Sequence, residues 1–211
     1  MTLSATRYNF GGKIMNLPNK LSILRVIMVP IFVLVMVLPF PAEAPFDTWI
    51  RIIAAAVFIL TALTDMLDGQ IARRFKLVTD FGKFIDPLAD KFMIFGAMLG
   101  ILYRYDYIRP IFIWAALIVI FRELAITSMR LIVVNKSGTV VAAAWLGKVK
   151  TVTQVVCIVT ILLEPVIIPA GNIVHDWHLL SYLTIIAMTV MTLWSGIDYM
   201  KAYWPQLDPN K

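Results

Sequence analysis

The sequence contains very little cysteine, histidine and charge. Its single cysteine, Cys157, excludes a disulfide within the chain. Its two histidines, His175 and His178, lie in a polar stretch that is typical of an interfacial loop rather than of a metal site. Only 15% of the 211 residues are charged, whereas 60% are hydrophobic. This balance excludes an ordinary soluble domain and predicts an integral membrane protein.

Six apolar stretches account for most of the chain. Each is about 20 residues long, enough to cross the hydrocarbon core of a bilayer, and they cover residues 21–40, 49–70, 84–104, 110–134, 149–168 and 178–200. We therefore expect an all-α integral membrane protein, a six-transmembrane-helix bundle with a short amphipathic N-terminal segment near residues 16–30. We expect residues 1–14 to be a poorly ordered leader or extension, and residues 15–211 to form a single membrane domain.

Basic residues are concentrated in alternate loops. Only three of the 19 lysines and arginines, namely Arg51, Arg104 and Arg109, lie at the other ends of the apolar stretches. Because loops rich in lysine and arginine stay in the cytoplasm, we expect a multi-pass protein of the cell membrane whose termini both face the cytoplasm. The junction between the second and third stretches, which carries the motif described next, is predicted to lie on the same side.

Four aspartates cluster around that junction. Asp65 and Asp68 are three residues apart, and Asp86 and Asp90 are four apart. On two helices these spacings put each pair on one face, so that facing helices could direct all four carboxylates at one point. An ionised aspartate in a membrane helix costs at least ~2.5–3.5 kcal/mol, which indicates a bound cation. Carboxylate oxygens suit Mg²⁺, Mn²⁺ or Ca²⁺ rather than zinc.

The residues around the aspartates form the pattern D-x2-D-G-x2-A-R-x8-G-x3-D-x3-D. The pattern resembles the signature of the CDP-alcohol phosphatidyltransferases at every fixed position. The resemblance implies a transferase that moves a phosphatidyl group from CDP-diacylglycerol to the hydroxyl of an acceptor alcohol and releases CMP. It implies that Asp65, Asp68 and Asp86 hold metal, two Mg²⁺ or Mn²⁺ ions, and that Asp90 lies at the metal site and is the general base. The residues implied for CDP-diacylglycerol binding are Asn19, Arg25, Gly69, Ala72, Arg73 and Gly82.

A second polar cluster is predicted on the same side of the membrane. Arg122 and Arg130 are eight residues apart and share a helix face, whereas Lys148 and Lys150 are two apart and should diverge, so that only one points at a ligand. The cluster resembles the branch of the family whose acceptor is sn-glycerol 3-phosphate. This resemblance implies that the four side chains bind the acceptor phosphate. Cations that only snorkel to the membrane surface are the alternative.

Other functions remain open at this point. Within the family, the acceptor could instead be that of a cardiolipin synthase, inositol phosphate or serine. A divalent-cation transporter would also bind metal through membrane carboxylates, but it would spread them between both membrane faces. The expected partners are CDP-diacylglycerol, glycerol 3-phosphate and the lipid bilayer, with no nucleic acid. The resemblance also implies a homodimer.

Overall fold

The computed structural model describes residues 17–39, 45–74, 79–137 and 145–204. Side chains are described throughout these ranges, except at residues 17, 18, 66–74, 80, 83 and 134–137. The predicted leader at residues 1–14 lies outside the described residues.

Helices make up nearly all of the described chain. They are α1 (Leu17–Val37), α2 (Phe46–Arg74), α3 (Asp80–Arg104), α4 (Arg109–Ser137), α5 (Trp145–Ile167), the short α6 (Ile173–Asp176) and α7 (Leu179–Tyr203). The described ranges contain no strand, so the predicted all-α class is confirmed. The six long helices coincide with the six predicted apolar stretches.

The number of membrane spans is smaller than predicted. Among the described residues, five helices are long and apolar enough to cross a membrane: α1, α2, α4, α5 and α7. The protein is therefore multi-pass, but the predicted count of six spans is too high by this measure. The physical reason lies in α3, which carries Asp86, Asp90 and Lys91 in its first half and Arg104 at its end.

The predicted amphipathic N-terminal segment is not a separate element in the part of the chain that the structure describes. Helix α1 runs continuously from Leu17 to Val37, with Pro30 inside it. The polar residues of that segment therefore occupy the first turns of a membrane-spanning helix. Because the helix is continuous, the packing of α1 against α2 and α3 also sets the position of these polar residues.

The helices form two groups that meet at the centre of the bundle. Helix α1 packs against α2 and α3, while α7 packs against α4 and α5, and the groups meet where α2 contacts α5 and α3 contacts α4. Small residues allow the closest approaches: a Cβ atom at Gly96 of α3 would lie 2.5 Å from Val29 Cγ1 of α1. Packing of this kind is typical of helix association in membranes.

A buried carboxylate ties α5 to α7 at the end of the bundle away from the aspartate motif. Glu164 accepts hydrogen bonds from the backbone N–H groups of Leu180 and Ser181, both at 2.9 Å, and from the Ser181 hydroxyl. These donors belong to the first turn of α7, whose N–H groups have no partner within the helix. Glu164 therefore has a capping role in the fold.

Candidate active site

The aspartate motif occupies the end of α2 and the start of α3. Asp65 and Asp68 lie on α2, and Asp86 and Asp90 lie on α3, so the predicted arrangement of two pairs on two helices is what the backbone shows. Four predicted site residues, Asp68, Gly69, Ala72 and Arg73, fall where side chains are outside the description. Their predicted roles therefore stay predictions.

Helix α1 contacts both helices of the motif. The fully buried Arg25 places its Nη1 2.6 Å from Asp65 Oδ1, while 41% of the Asp65 side chain is exposed. One turn earlier, the buried Ser22 hydroxyl donates a hydrogen bond to Asp86 Oδ1 at 2.5 Å. Since α1 is one rigid helix, these two contacts set the position of one aspartate from each pair.

Asn19, one turn before Ser22, meets the first turn of α3. Its Oδ1 accepts a hydrogen bond from the Thr79 hydroxyl at 3.0 Å, and Thr79 caps α3 by accepting from the Gly82 N–H at 3.0 Å. A Cβ atom at Gly82 would lie 3.0 Å from Asn19 Oδ1. Gly82 thus permits the close approach of α1 and α3, and its role in CDP-diacylglycerol binding stays a prediction.

Asp90, the last aspartate of the motif, interacts with residues of both clusters. Its carboxylate interacts electrostatically with Asp65 and Arg25 and with Lys150 and Glu123. The structure therefore brings the predicted general base near one member of the predicted acceptor site. Sequence spacing alone could not show this, because the two clusters are far apart along the chain.

The second cluster is built around Glu123 of α4. Glu123 is 9% exposed, and its Oε1 accepts from Lys150 Nζ at 2.5 Å and from Arg122 Nη1 at 3.1 Å. Arg122 also donates to Ser195 Oγ at 3.0 Å, and its guanidinium lies 5.4 Å from the ring centroid of Tyr199. Three helices, α4, α5 and α7, therefore meet at one buried ionic group.

The remaining predicted acceptor residues lie further out. Lys148 is exposed whereas Lys150 is buried, so the two lysines diverge as their spacing predicts. Arg130 is exposed and does not share the buried position of Arg122. It does lie within electrostatic range of Lys91.

Three residues near the site were given no role from the sequence, although Glu123 was already part of the predicted polar cluster: Ser22, Lys91 and Glu123. Asn19, Ser22 and Arg25 recur every three residues, and this helical spacing could have identified Ser22. Lys91 directly follows Asp90. It donates a hydrogen bond to Thr127 Oγ1 and interacts electrostatically with Asp90 and Glu123.

The donor set of the motif is chemically suited to a divalent cation. Asp65, Asp86 and Asp90 offer carboxylate oxygens, the ligands that Mg²⁺ and Mn²⁺ prefer. Among the residues with described side chains, no three acidic, histidine or cysteine residues form a ready metal site. The fourth predicted carboxylate, Asp68, lies outside that set.

The chain is a multi-pass membrane protein, and it belongs to the CDP-alcohol phosphatidyltransferase family. The model of that family matches residues 15–197, which include the whole aspartate motif and the basic cluster. The family predicted from the motif is therefore confirmed. Members of this family generally depend on a divalent metal.

Similar proteins from several bacteria carry one name, CDP-diacylglycerol–glycerol-3-phosphate 3-phosphatidyltransferase. The protein from Bacillus subtilis (strain 168) is 36% identical over 204 residues, which cover 91% of this chain and 97% of the relative. The protein from Yersinia enterocolitica is 34% identical over 199 residues, covering 92% of this chain and 97% of the relative. The protein from Pseudomonas fluorescens is 33% identical over 199 residues, covering 92% of each chain.

Proposed function

We propose that this protein transfers the phosphatidyl group of CDP-diacylglycerol to sn-glycerol 3-phosphate, giving phosphatidylglycerophosphate and CMP. The names of the relatives support this acceptor. The structural observation that carries the proposal is the ionic group of Lys150, Arg122 and Glu123 beside Asp90. Family membership gives no support to the alternative of a cation transporter.

The acceptor hydroxyl is the nucleophile in this reaction. Its oxygen forms a new bond to the phosphorus that carries the diacylglycerol, and the bond from that phosphorus to the CMP oxygen breaks. Asp90 is proposed to take the hydroxyl proton, and its electrostatic interactions with both the motif aspartate Asp65 and the cluster residue Lys150 support this role. General-base catalysis requires a proton acceptor within hydrogen-bond reach of the hydroxyl.

The motif aspartates are the residues that would hold metal. Asp65, Asp68 and Asp86 are proposed as ligands, with Asp90 at the same site, for two Mg²⁺ or Mn²⁺ ions. When bound, such ions neutralise the diphosphate and the departing CMP. Arg25 and Ser22 hold Asp65 and Asp86 in place from α1.

The charge around Asp90 suits an acceptor that carries a phosphate. Four cationic side chains, Lys91, Arg122, Arg130 and Lys150, and two carboxylates, Asp90 and Glu123, give this region a net charge of +2. A phosphate monoester carries about −1.5 to −2 charges at pH 7. A neutral acceptor would need none of this positive charge. Lys148 completes the proposed acceptor set from an exposed position.

The CDP-diacylglycerol site is proposed on the other side of the motif. Its residues are Asn19, Arg25, Gly69, Ala72, Arg73 and Gly82, of which Asn19 and Arg25 are buried on α1. The uneven distribution of lysine and arginine supports a site that opens to the cytoplasmic face of the cell membrane. A homodimer is proposed from the family resemblance alone.

An acceptor panel tests the proposal directly. Purified protein would be incubated with CDP-diacylglycerol, a divalent cation and one acceptor at a time, and CMP release would be followed. We expect glycerol 3-phosphate to react faster than glycerol, serine, inositol phosphate or phosphatidylglycerol. Faster use of any of the other acceptors would assign the protein to another branch of the family.

A further inference from the structure

Glu123 is a buried carboxylate in the apolar helix α4. A charge in this position is costly unless it is paired. Its partners are two cations, Lys150 on α5 at 2.5 Å and Arg122 on α4 at 3.1 Å. Lys91 on α3 also lies within electrostatic range. Side chains of three helices therefore depend on one carboxylate.

We infer that Glu123 is a positioning residue that keeps Lys150 directed toward the phosphate of the acceptor. The inference rests on the proposed function above and deepens it. Glu123 itself is unsuited to contact the acceptor, since a carboxylate would repel a phosphate. Its contribution must therefore come through the cations that it holds.

Lys150 is the cation that needs Glu123 most. It is 5% exposed, and its Nζ lies 2.5 Å from Glu123 Oε1, so loss of that carboxylate would leave a buried charge without this ion-pair partner. Arg122 keeps other support among the described residues, from Ser195 Oγ at 3.0 Å and from the ring of Tyr199. Removal of the Glu123 charge should therefore act mainly through Lys150.

Arg122 also packs closely against helix α7. A Cβ atom at Gly196 of α7 would lie 3.2 Å from Arg122 Cγ, so glycine at this position lets α7 pack closely against the arginine. The two cations thus differ in their support. Arg122 is held by α7 as well as by Glu123, whereas Lys150 reaches across from α5 to Glu123.

Glu164 provides a matched control within the same protein. Like Glu123 it is buried, with 3% of its surface exposed, but its partners are the backbone N–H groups of Leu180 and Ser181 and the Ser181 hydroxyl. It lies 14 residues after Lys150 on α5, which is about 21 Å along the helix. A substitution of Glu164 therefore tests the loss of a buried carboxylate whose hydrogen-bond donors are not cations.

The experiment is a double-mutant cycle with Glu123→Gln, Lys150→Gln and the double variant. Steady-state kinetics would give kcat and the KM values for glycerol 3-phosphate and CDP-diacylglycerol, and the Tm would be measured in detergent. We expect Glu123→Gln to raise KM for glycerol 3-phosphate by about 10-fold, with KM for CDP-diacylglycerol changed less than about twofold. Lys150→Gln should do the same, and the double variant should be no worse than Lys150→Gln. Glu164→Gln should lower Tm and leave both KM values unchanged.

Three results would overturn the inference. The first is a double variant whose KM for glycerol 3-phosphate rises by the product of the single effects, which would mean that Glu123 acts independently of Lys150. The second is a lower or unchanged KM in Glu123→Gln, and the third is an equal rise in both KM values together with a lower Tm. If Glu123→Gln cannot be purified, Glu123→Asp should also raise KM for glycerol 3-phosphate more than KM for CDP-diacylglycerol, to a smaller degree. An unchanged KM for glycerol 3-phosphate in Glu123→Asp would count equally against the inference. A wild-type protein that does not use glycerol 3-phosphate would instead refute the proposed function.

Discussion

The two ends of the bundle both bury charged side chains, but carboxylates and cations are arranged differently at each end. At the end away from the motif, Asp47 of α2 pairs with Arg51 at 2.5 Å and with Arg104 at 3.2 Å. The Arg51 guanidinium also lies 3.9 Å from the ring centroid of Tyr105. These side chains line a cavity of about 720 Å³.

At the motif end, most charges are sorted by sign, although Arg25 of α1 pairs with Asp65 at 2.6 Å. The aspartates lie on α2 and α3, whereas Lys150 and Arg122 lie on α5 and α4 around a single glutamate. Asp47 and Asp65 are 18 residues apart on α2, about 27 Å along the helix. At each end one carboxylate joins two cations and holds helices together. The motif end differs by its additional group of aspartates, which we propose serves a cation while the basic cluster serves a phosphate.

The strongest test of this comparison is removal of metal. Because the sorted aspartates are proposed to need cations, EDTA should abolish activity, and Mg²⁺ or Mn²⁺ should restore it. Mn²⁺ should also raise the Tm of the wild type, and Asp86→Asn should reduce that rise. Full activity in the presence of chelator would contradict the metal assignment, and so would an equal Tm rise in the variant.

The next largest effect is expected at the proposed base. Asp90→Asn removes the proton acceptor and should lower kcat by roughly 10²–10⁴, while CDP-diacylglycerol still binds in an equilibrium assay. Asp106→Asn is the matched control at the opposite end, where the Asp106 side chain is 82% exposed and pairs with Arg109. A normal kcat in Asp90→Asn would exclude the base role.

A substitution at the end away from the motif should lower stability rather than activity. Asp47→Asn leaves Arg51 and Arg104 buried without their carboxylate. Breaking a buried pair typically costs about 3–5 kcal/mol, so the Tm in detergent should fall clearly. The kcat and both KM values of the folded fraction should be unchanged. A kinetic change without a Tm change would mean that this end also takes part in the reaction.

A smaller effect is expected from the exposed Arg130. Exposed charges contribute about 0.2–1 kcal/mol, so Arg130→Ala should raise KM for glycerol 3-phosphate by no more than about fivefold. Lys201→Ala, another exposed cation, on α7, is the control and should change nothing. A rise beyond about 10-fold in Arg130→Ala would show that Arg130 closes over the bound phosphate.

The smallest effect concerns His178, which precedes α7 and stacks on Tyr107 with 3.9 Å between the ring centroids. Burial lowers the pKa of His178 from its ordinary value of 6.5, so the folded state binds fewer protons than the unfolded state. Stability should therefore decrease as the pH falls below about 6.5. His178→Asn, which tolerates the left-handed backbone at φ 48°, should flatten the Tm profile between about pH 7.5 and 5.5. An unchanged profile would exclude His178 as its source.

Several features of this protein followed from the sequence because their causes are local. The spacing of Asp65 and Asp68, and of Asp86 and Asp90, sets a helix face wherever the helices lie. The apolar stretches are long enough to cross a membrane whatever their packing. The all-α membrane class and the family could therefore be predicted without a structure.

Other features depended on contacts between residues far apart in the chain. Ser22 reaches Asp86, Asn19 faces Gly82, and Lys150 meets Glu123 only after helices from different parts of the sequence have packed. The count of spans, by contrast, follows from composition, since α3 itself carries Asp86, Asp90, Lys91 and Arg104.

The sequence by itself thus indicated which residues are proposed to carry the chemistry of the motif, because a short motif encodes residue type and helical spacing. Only the tertiary structure decided which of the two lysines is buried, placing Lys150 inside and Lys148 outside. It also showed that Glu123 holds Lys150 there. The physical reason is that an ion pair needs both partners within a few ångströms, and for residues on different helices that distance is set by packing.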